Sequence, residues 1–286
     1  MIELFLKQRQ IFYIEEDEIQ ASSGNYYEIG DRIGSGGNGA VYECIDQSGC
    51  TYAIKFLLHF DAKSKMRFEQ EISLMQKLNH PHLVKYIDSG QVKVKKRKKD
   101  TNFEDSPFVI MEKADSNVME YLKKNKSIPY EQYVPQFRGL CEALGQIHDY
   151  AIHRDIKPEN VLIKGETWIL SDFGLCEFLD PEEHKDITKE NEKIGPIFWI
   201  SPEAVNKYYF GTDDIGPYSD VYQLGMLFSF VLSRRYPGGI VTNDYCFNTT
   251  DEIKNVLIET MSNSSAKRPQ NGSELLKLFN EATIEK

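Results

Sequence analysis

Two short motifs decide the fold of this chain: IHRDIKPENVLI at residues 152–163 and LSDFGL at residues 170–175. They contain four side chains that suit phosphoryl chemistry: Asp155, Lys157, Asn160 and Asp172. Carboxylate and carboxamide oxygens bind Mg²⁺ or orient a hydroxyl, and a lysine adds positive charge for a migrating phosphoryl group. Either motif alone would also suit a capped turn, so its meaning depends on the sequence around it.

A glycine-rich motif, IGSGGNGAVY at residues 33–42, lies upstream between two strand-like segments. Its glycines Gly34, Gly36 and Gly39 allow backbone amides to approach a phosphate closely. A dinucleotide-binding turn would need a helix directly afterwards, whereas the following AVYECI is rich in strand-forming residues. The motif therefore predicts a hairpin over phosphates, with a flexible turn as the alternative.

The motif YAIK places Lys55 on an otherwise apolar, strand-like run. A lysine in that setting is costly to bury without a partner. The next segment predicts a helix that begins after the N-cap Asp61 and has Glu71, Met75 and Leu78 on one face. Glu71 is thus the candidate partner of Lys55 and a phosphate its candidate ligand. The alternative is a lysine whose amine extends into solvent.

The hydrophobic pattern changes along the chain from strand-like to helical periods. An N-lobe at residues 26–113 is rich in strands, and a C-lobe at residues 114–286 is mainly helical, with VYQLGMLFSFVL as a buried helix. Another predicted helix carries one apolar stripe: Phe137, Leu140, Cys141, Leu144 and Ile147. This order predicts an α+β fold of two lobes with a ligand cleft between them, preceded by an extension of unknown role at residues 1–25.

Composition limits the classes of partner. The net charge of −10 and a pI near 5.2 argue against a nucleic-acid or anionic-membrane partner, because both need a basic surface. The basic run VKVKKRKK at residues 92–99 is the local exception. Its position between two predicted strands indicates an exposed hairpin tip, which is either solvated or a contact site for an anionic partner.

Cysteine and histidine usage points to neither disulfides nor zinc. The five cysteines are scattered and lack paired spacing, and the six histidines show no metal-ligand spacing. The first residues lack the pattern of a signal peptide, and no run is long and apolar enough to span a membrane. These features predict a cytoplasmic protein.

The ordered motifs resemble the signature of eukaryotic-type (Hanks-type) protein kinases, and more specifically of serine/threonine kinases. The resemblance covers the chain from about Tyr26 to Glu281. It implies a bilobal protein-kinase fold, with an antiparallel β-sheet N-lobe that has one main helix and a mainly α-helical C-lobe. It also implies transfer of the γ-phosphoryl group of ATP to a protein hydroxyl, with Mg²⁺ or alternatively Mn²⁺ as the metal.

The resemblance assigns catalytic roles to four side chains and metal binding to two. Lys55 would hold the α and β phosphates and pair with Glu71. Asp155 would accept the proton of the substrate hydroxyl, and Lys157 would add positive charge. The metal ligands would be Asn160 and Asp172. Because these positions are filled, the resemblance favours an enzyme over the rival reading, a pseudokinase that acts only as a scaffold.

The resemblance also assigns positions around the nucleotide. Val41, Ala53 and Leu162 match the residues that sandwich the adenine ring, and Met111 matches the gatekeeper before a hinge at residues 112–114. The complete set of nucleotide-binding positions is Ile33, Gly34, Ser35, Gly36, Gly37, Asn38, Gly39, Val41, Ala53, Lys55, Met111, Glu112, Ala114 and Leu162. Core packing is the alternative role for the apolar members of this set.

Further matched positions concern support rather than contact with ATP. Four of them match a stack of side chains that aligns the lobes of active enzymes: Met75, Tyr86, His153 and Phe173. Glu203, in an SPE segment, would pair with Arg268. Asp220, at the start of the buried helix, would brace the loop that contains His153 and Arg154.

Two features bear on the class of substrate. Lys157, two residues after Asp155, resembles serine/threonine kinases, whereas Pro196 and Trp199 resemble the substrate loop of tyrosine kinases. Serine and threonine hydroxyls of proteins, including the chain itself, are the favoured acceptors, and a tyrosine or dual-specificity kinase is the alternative. Pro158 and the SPE segment argue against a small-molecule kinase.

The activation segment departs from the usual pattern. It contains Thr188, but Glu192 stands at the position that is phosphorylated in many relatives, and Arg154 would normally receive that phosphate. The hypothesis is that Glu192 partly replaces the phosphate. The alternative is a solvated loop glutamate.

Overall fold

The computed structural model describes residues 1–6, 9–35, 39–180, 198–236 and 248–284. Contacts divide the chain into two compact units, which we call unit 1 and unit 2. Unit 1 comprises Met1–Lys77 and Val84–Ala114, and unit 2 comprises Leu78–Leu83 and Asp115–Lys286. Among the described residues, no helix combines the length and apolar character that crossing a membrane requires.

An antiparallel sheet dominates unit 1. In the part of the chain that the structure describes, it has eight strands in the order β1-β2-β7-β8-β6-β5-β4-β3. The strands are β1 Ile2–Leu6, β2 Arg9–Ile14, β3 Glu18–Gln20, β4 Tyr26–Ser35, β5 Gly39–Asp46, β6 Thr51–Leu57, β7 Tyr86–Lys95 and β8 Glu104–Glu112.

The helix of unit 1, α1, spans Ala62–Lys77 and packs against β6, β7 and β8. It begins where the sequence predicts, because the Asp61 carboxylate accepts hydrogen bonds from the backbone N–H of Ser64 at 3.0 Å and from its hydroxyl at 2.6 Å. Glu71 and Met75 on its inner face are buried, as predicted.

The first 25 residues contribute three strands to the sheet of unit 1. The hydroxyl of Tyr42 on β5 accepts a hydrogen bond from Phe5 N at 2.7 Å and donates one to Glu3 O at 3.2 Å. β1 is therefore tied to β5, although the two are not neighbours in the sheet. Apolar side chains from the segment join the core of the unit: Leu4, Phe12, Ile14, Ile19 and Ala21.

The basic run at residues 92–99 is matched by acidic side chains of the same unit. Lys95 forms an ion pair with Glu15, and Lys98 lies 3.1 Å from Glu3. Lys96 pairs with Glu104 across the hairpin at 2.9 Å. Part of the basic charge is therefore neutralised within the chain, largely by the first 15 residues. Contact with an external anionic partner stays a prediction.

Unit 2 is mainly helical, so the predicted α+β class is confirmed. Its helices are α2 Val118–Lys124, α3 Tyr130–Ile147, α4 Pro202–Phe210, α5 Pro217–Ser233, α6 Asp251–Thr260 and α7 Gly272–Thr283. Its strands are β9 Ser116–Asn117, β10 Ala151–Ile152, β11 Val161–Lys164, β12 Thr167–Leu170 and β13 Glu177–Phe178. Short 3₁₀ segments cover Pro158–Asn160 and Ser265–Lys267.

The core of unit 2 forms around α3 and α5. The predicted stripe on α3 is fully buried, and α5 is buried on most sides, as its sequence predicts. Phe137 of α3 stacks on Phe228 of α5 with ring centroids 3.8 Å apart. α7 packs closely on α3, because a Cβ at Gly272 would lie 2.2 Å from the backbone nitrogen of Gly145. These contacts form a close-packed core, which supports the loops of the candidate site.

Candidate active site

The glycine-rich motif forms a hairpin. Strands β4 and β5 pair directly, with Gly34 opposite Val41 and Ser35 opposite Ala40. The predicted hairpin is confirmed, and the helix that a dinucleotide-binding turn requires is not there, because β5 follows. Three positions predicted to contact phosphates lie outside the described residues: Gly36, Gly37 and Asn38.

Packing explains one glycine of this motif independently of any ligand. A Cβ at Gly39 would lie 2.6 Å from the carbonyl oxygen of Phe56, so the close approach of β5 to β6 requires glycine there. At Gly34 the nearest atom to a Cβ would be the Cβ of Val41 at 3.7 Å, an ordinary contact. Packing therefore does not require the glycine at this position.

Lys55 and Glu71 form the predicted ion pair. The Lys55 amine lies 2.6 Å from the Glu71 carboxylate, and the two side chains are 14% and 4% exposed. A lysine that extends its amine into solvent is excluded by this contact. Because both partners are buried, each charge helps to compensate the cost of burying the other.

The other nucleotide-binding positions of unit 1 lie on neighbouring strands. Ala53 on β6 pairs with Met111 on β8, and both side chains are buried. Glu112 ends β8 and forms two hydrogen bonds with Lys85. Its backbone N–H donates to Lys85 O at 3.0 Å, and its carboxylate accepts a hydrogen bond from Lys85 N at 3.0 Å. Ile33 on β4 is exposed, Val41 lies on β5 opposite Lys55, and Ala114 ends the unit. Their contact with a nucleotide stays a prediction.

In unit 2 the structure brings together Asp155, Lys157 and Asn160. The Lys157 amine lies 2.8 and 3.0 Å from the two carboxylate oxygens of Asp155. The side-chain N–H of Asn160 donates to the same carboxylate at 2.7 Å and to the backbone carbonyl of Asp155 at 2.9 Å. The Asp155 carboxylate is therefore held in one orientation and is only slightly exposed.

These surroundings shift the pKa of the Asp155 carboxyl group. Burial raises the pKa of its carboxyl group, and the nearby charge of Asp172 raises it further. The adjacent Lys157 acts in the opposite direction but does not cancel the effect, so the pKa lies above its ordinary value. A carboxylate with a raised pKa has a stronger affinity for a proton than a solvated one.

Asp172 is linked to Asn160 through the residue that precedes it, Ser171. The backbone N–H and the hydroxyl of Ser171 both donate to the carbonyl oxygen of Asn160, at 3.0 and 2.9 Å. Asp172 has a φ of +65°, a conformation that costs free energy for a residue other than glycine. The carboxylate of Asp172 and the amide oxygen of Asn160 are hard donors, and this chemistry fits Mg²⁺.

Asp220 holds the loop before Asp155, as predicted. Its carboxylate accepts hydrogen bonds from the backbone N–H groups of His153 at 2.6 Å and of Arg154 at 2.8 Å. His148 lies 3.0 Å from the same carboxylate through Nε2, and its Nδ1 accepts a hydrogen bond from Gly272 N at 3.0 Å. Nε2 of His148 therefore carries the proton that it donates to Asp220.

Sequence reasoning missed two residues that position this loop. The sequence does not predict the role of His148, because a lone histidine carries no local signal for a buried contact. Gln223 lies one helical turn after Asp220 and accepts a hydrogen bond from Ile156 N at 3.0 Å, while its amide donates to Arg154 O at 3.3 Å. Its spacing of three from Asp220 is the signal that could have indicated it.

Arg154 contacts a carboxylate that the sequence does not predict, that of Glu177. Its Nη1 lies 2.6 Å from the Glu177 carboxylate, and its Nε donates to Leu175 O at 2.6 Å. Glu192, the residue that the sequence predicts opposite Arg154, lies outside the described residues, and so does Thr188. Of the predicted stack, the His153 and Phe173 rings lie 5.3 Å apart in unit 2.

The predicted pair of Glu203 and Arg268 is also present. Two nitrogens of Arg268 bind the two carboxylate oxygens of Glu203 at 2.8 and 2.9 Å, and Ser219 donates to the carboxylate at 2.6 Å. Burial alone would raise the pKa of Glu203, but these hydrogen bonds outweigh it and lower the pKa. Nearby Trp199 packs edge-on against Phe230, whereas Pro196 lies outside the described residues.

We expect the substitution Glu203→Gln to lower the free energy of unfolding by about 3–5 kcal/mol at neutral pH, because it leaves Arg268 buried without its counter-charge. Since the folded pKa of Glu203 is lowered, its contribution is present above the unfolded value and lost as the pH falls through the folded value. The difference from wild type should therefore shrink in acid. Urea unfolding measures the free energy of unfolding of each protein. Tryptophan fluorescence reports on unit 2, because Trp168 and Trp199 both lie there.

Glu281→Gln is the matched control, because Glu281 is exposed at the end of α7. It should change stability by less than about 0.5 kcal/mol. Equal stability of the Glu203 variant and the control at neutral pH would contradict the expectation.

Comparisons with known proteins give concordant matches. The family model described as "Protein kinase domain" matches residues 27–286. The serine/threonine-protein kinase pkn2 of Myxococcus xanthus is 32% identical over 214 residues, which cover 72% of this chain and 24% of the relative. A probable serine/threonine-protein kinase PknB of Bifidobacterium longum is 28% identical over 224 residues, or 76% of this chain and 31% of the relative.

A third relative differs in its named specificity. The dual specificity protein kinase TTK of Mus musculus is 27% identical over 230 residues, which cover 77% of this chain and 26% of the relative. The chain thus spans about a quarter to a third of the length of these three relatives.

Proposed function

Because this chain belongs to the protein kinase family, we propose that it transfers the γ-phosphoryl group of ATP to serine and threonine hydroxyls of proteins, itself included. The observation that carries the proposal is the cluster around the Asp155 carboxylate, which Lys157 and Asn160 hold by hydrogen bonds of 2.7 to 3.0 Å. A buried carboxylate oriented in this way suits a general base and supports an enzyme over a scaffold.

Asp155 would act as the proton acceptor. The substrate hydroxyl oxygen forms a bond to the γ-phosphorus as the bond from that phosphorus to the β-γ bridging oxygen breaks, and ADP leaves. The hydroxyl proton moves to Asp155, whose raised pKa favours its capture. Lys157, at 2.8 Å from Asp155, would place positive charge beside the transferring group.

Lys55 would bind the α and β phosphates of ATP. Its amine is held by Glu71 at 2.6 Å, so its position is set before ATP binds. The proposed nucleotide contacts of unit 1 come from the β4–β5 hairpin, from Ala53 and from the end of β8 at Met111 and Glu112, and Leu162 on β11 would add an apolar contact from unit 2.

Asn160 and Asp172 would hold the metal ion, which we propose to be Mg²⁺. When bound, the metal would neutralise phosphate charge. The backbone of Asn160 is fixed by Ser171, and its side-chain nitrogen is bonded to Asp155, which leaves its amide oxygen as the ligand atom. This pattern supports oxygen ligation by both residues.

The substrate class and the compartment are further parts of the proposal. Lys157 and the names of two of the three relatives support serine and threonine as acceptors. The name of the third keeps dual specificity as the alternative. The cysteines that the structure describes are free, which supports a reducing compartment such as the cytoplasm.

Transfer of labelled phosphate tests this function directly. The chain is incubated with γ-labelled ATP, Mg²⁺ and a generic protein substrate, and the labelled protein is hydrolysed for phosphoamino-acid analysis. We expect phosphoserine and phosphothreonine, and a loss of about 100-fold or more in the Lys55→Met variant, which lacks the phosphate-binding charge.

The outcomes separate the alternatives. Mainly phosphotyrosine would show that the proposed acceptor is wrong. Phosphorylated metabolite without phosphoprotein, detected by mass spectrometry, would indicate a small-molecule kinase. A folded wild-type chain that binds ATP and transfers nothing would favour a scaffold.

A further inference from the structure

Arg154 is placed where its conformation controls the direction of Asp155. It directly precedes Asp155, has a φ of +66° and is 5% exposed. Its backbone N–H is bonded to Asp220 and its carbonyl oxygen to Gln223. A residue other than glycine keeps this conformation only where the surrounding contacts compensate for its cost. The backbone contacts of Arg154 with Asp220 and Gln223 supply part of this compensation.

The charge of Arg154 is met by Glu177. The two side chains are 5% and 26% exposed, and Nη1 lies 2.6 Å from the carboxylate. The Nε of Arg154 also donates to Leu175 O, two residues before Glu177. A guanidinium this deeply buried needs a nearby negative charge, because removal of an ion from water is costly. Glu177 supplies that charge within hydrogen-bond distance.

The backbone fixes Glu177 in this position. Glu177 lies on β13 and pairs with Ile152 on β10, the residue that leads into the loop of Arg154 and Asp155. A further hydrogen bond, from Leu179 N to Tyr150 O at 2.9 Å, extends the pairing of the two segments. The same pair of strands thus presents the carboxylate and begins the loop, so backbone pairing fixes both partners of the contact.

We propose that Glu177 is a positioning residue that holds Arg154, and through it the loop of Asp155, in the working conformation without a phosphate on the activation segment. A phosphate opposite an arginine acts by supplying negative charge and acceptor oxygens. The carboxylate of Glu177 supplies both to Arg154 from a strand. This inference rests on the proposed function, and its consequence is a chain whose phosphoryl transfer is independent of phosphorylation.

The test compares phosphatase-treated and self-phosphorylated wild type with the variant Glu177→Gln. Intact-mass measurement before and after each assay establishes how many phosphates each sample carries, and initial rates are measured on a separate protein substrate. We expect equal rates for both wild-type samples. In Glu177→Gln we expect kcat to fall by about 10-fold while the KM for ATP stays within about 2-fold, because orientation of Asp155 and not ATP binding is disturbed.

Two further variants separate positioning from a general loss of structure. Glu177→Asp keeps the charge and should restore part of kcat. Glu166→Gln removes an exposed carboxylate from the turn between β11 and β12 and should match wild type. Thermal unfolding of each variant checks the fold, and the comparison of the two wild-type samples needs no variant.

Several outcomes would overturn the inference. If phosphatase-treated wild type is inactive until it is phosphorylated, the inference is wrong but the proposed function remains intact. A Glu177→Gln variant with wild-type or higher kcat, or with a loss confined to the KM for ATP, would also overturn the inference. Inactivity of wild type in both phosphorylation states would instead contradict the proposed function itself.

Discussion

Replacement of Asp155 by asparagine should lower phosphoryl transfer by about 10²- to 10⁴-fold, the usual contribution of a general base. The carboxamide cannot accept the hydroxyl proton, and it loses its charge contact with Lys157, which lies 2.8 Å from the carboxylate. The substitution keeps the size of the side chain, so the fold should persist. Initial rates with labelled ATP and unfolding followed by tryptophan fluorescence measure the two effects.

Asp149→Asn is the matched control for this variant. Asp149 is exposed and lies in the turn before β10, so the same chemical change there should leave the rate near that of wild type. If Asp155→Asn retained more than about a tenth of the wild-type rate, Asp155 would not be the general base.

Deletion of residues 1–21 should prevent stable folding of unit 1. The deletion removes three strands and buried side chains that include Leu4, Phe12, Ile14 and Ile19. Loss of one large buried side chain costs about 2–5 kcal/mol, and a whole domain is stable by only about 5–15 kcal/mol. The remaining sheet would expose part of its core and leave Tyr42 without its bonds to β1.

Hydrogen exchange measured by mass spectrometry can follow each unit separately. In the deletion variant, peptides from β4 to β8 should exchange rapidly, whereas peptides from α3 and α5 should exchange more slowly. The single variant Leu4→Ala should be intermediate, with a loss of about 2–5 kcal/mol. Glu16→Gln, at an exposed position of the same segment, should behave as wild type. Protection of β4 to β8 in the deletion variant would show that the first strands are dispensable.

Much of the candidate site could be predicted because its chemistry is local. The pair of Lys55 and Glu71 followed from a lysine on an apolar strand, which needs a counter-charge, and from a helix with one glutamate on its inner face. The hairpin of the glycine-rich motif followed from the strand-forming residues after Gly39. The cluster of Asp155, Lys157 and Asn160 lies within six consecutive residues, so its members could hardly be far apart.

The first 25 residues could not be placed in the same way. Their apolar runs are short, and what stabilises them lies far along the chain: β2 pairs with β7, and Lys95 binds Glu15 across 80 positions. Residues 96–99 of the basic run are exposed, as predicted, but a pattern of charges does not show which carboxylates will neutralise it. Such pairings become visible only when the sheet has formed.

The contact of Arg154 shows most clearly which features the sequence determines and which only the tertiary structure decides. The sequence by itself determined the order of motifs, the predicted α+β class, and the types of side chain that serve phosphoryl transfer. It could not determine that Glu177 meets Arg154: counting back from Glu203 selects Glu192, which lies outside the described residues, and the pairing of β10 with β13 brings Glu177 to 2.6 Å. A buried charge is compensated by whichever opposite charge the folded backbone brings within reach, so only the tertiary structure could decide this contact.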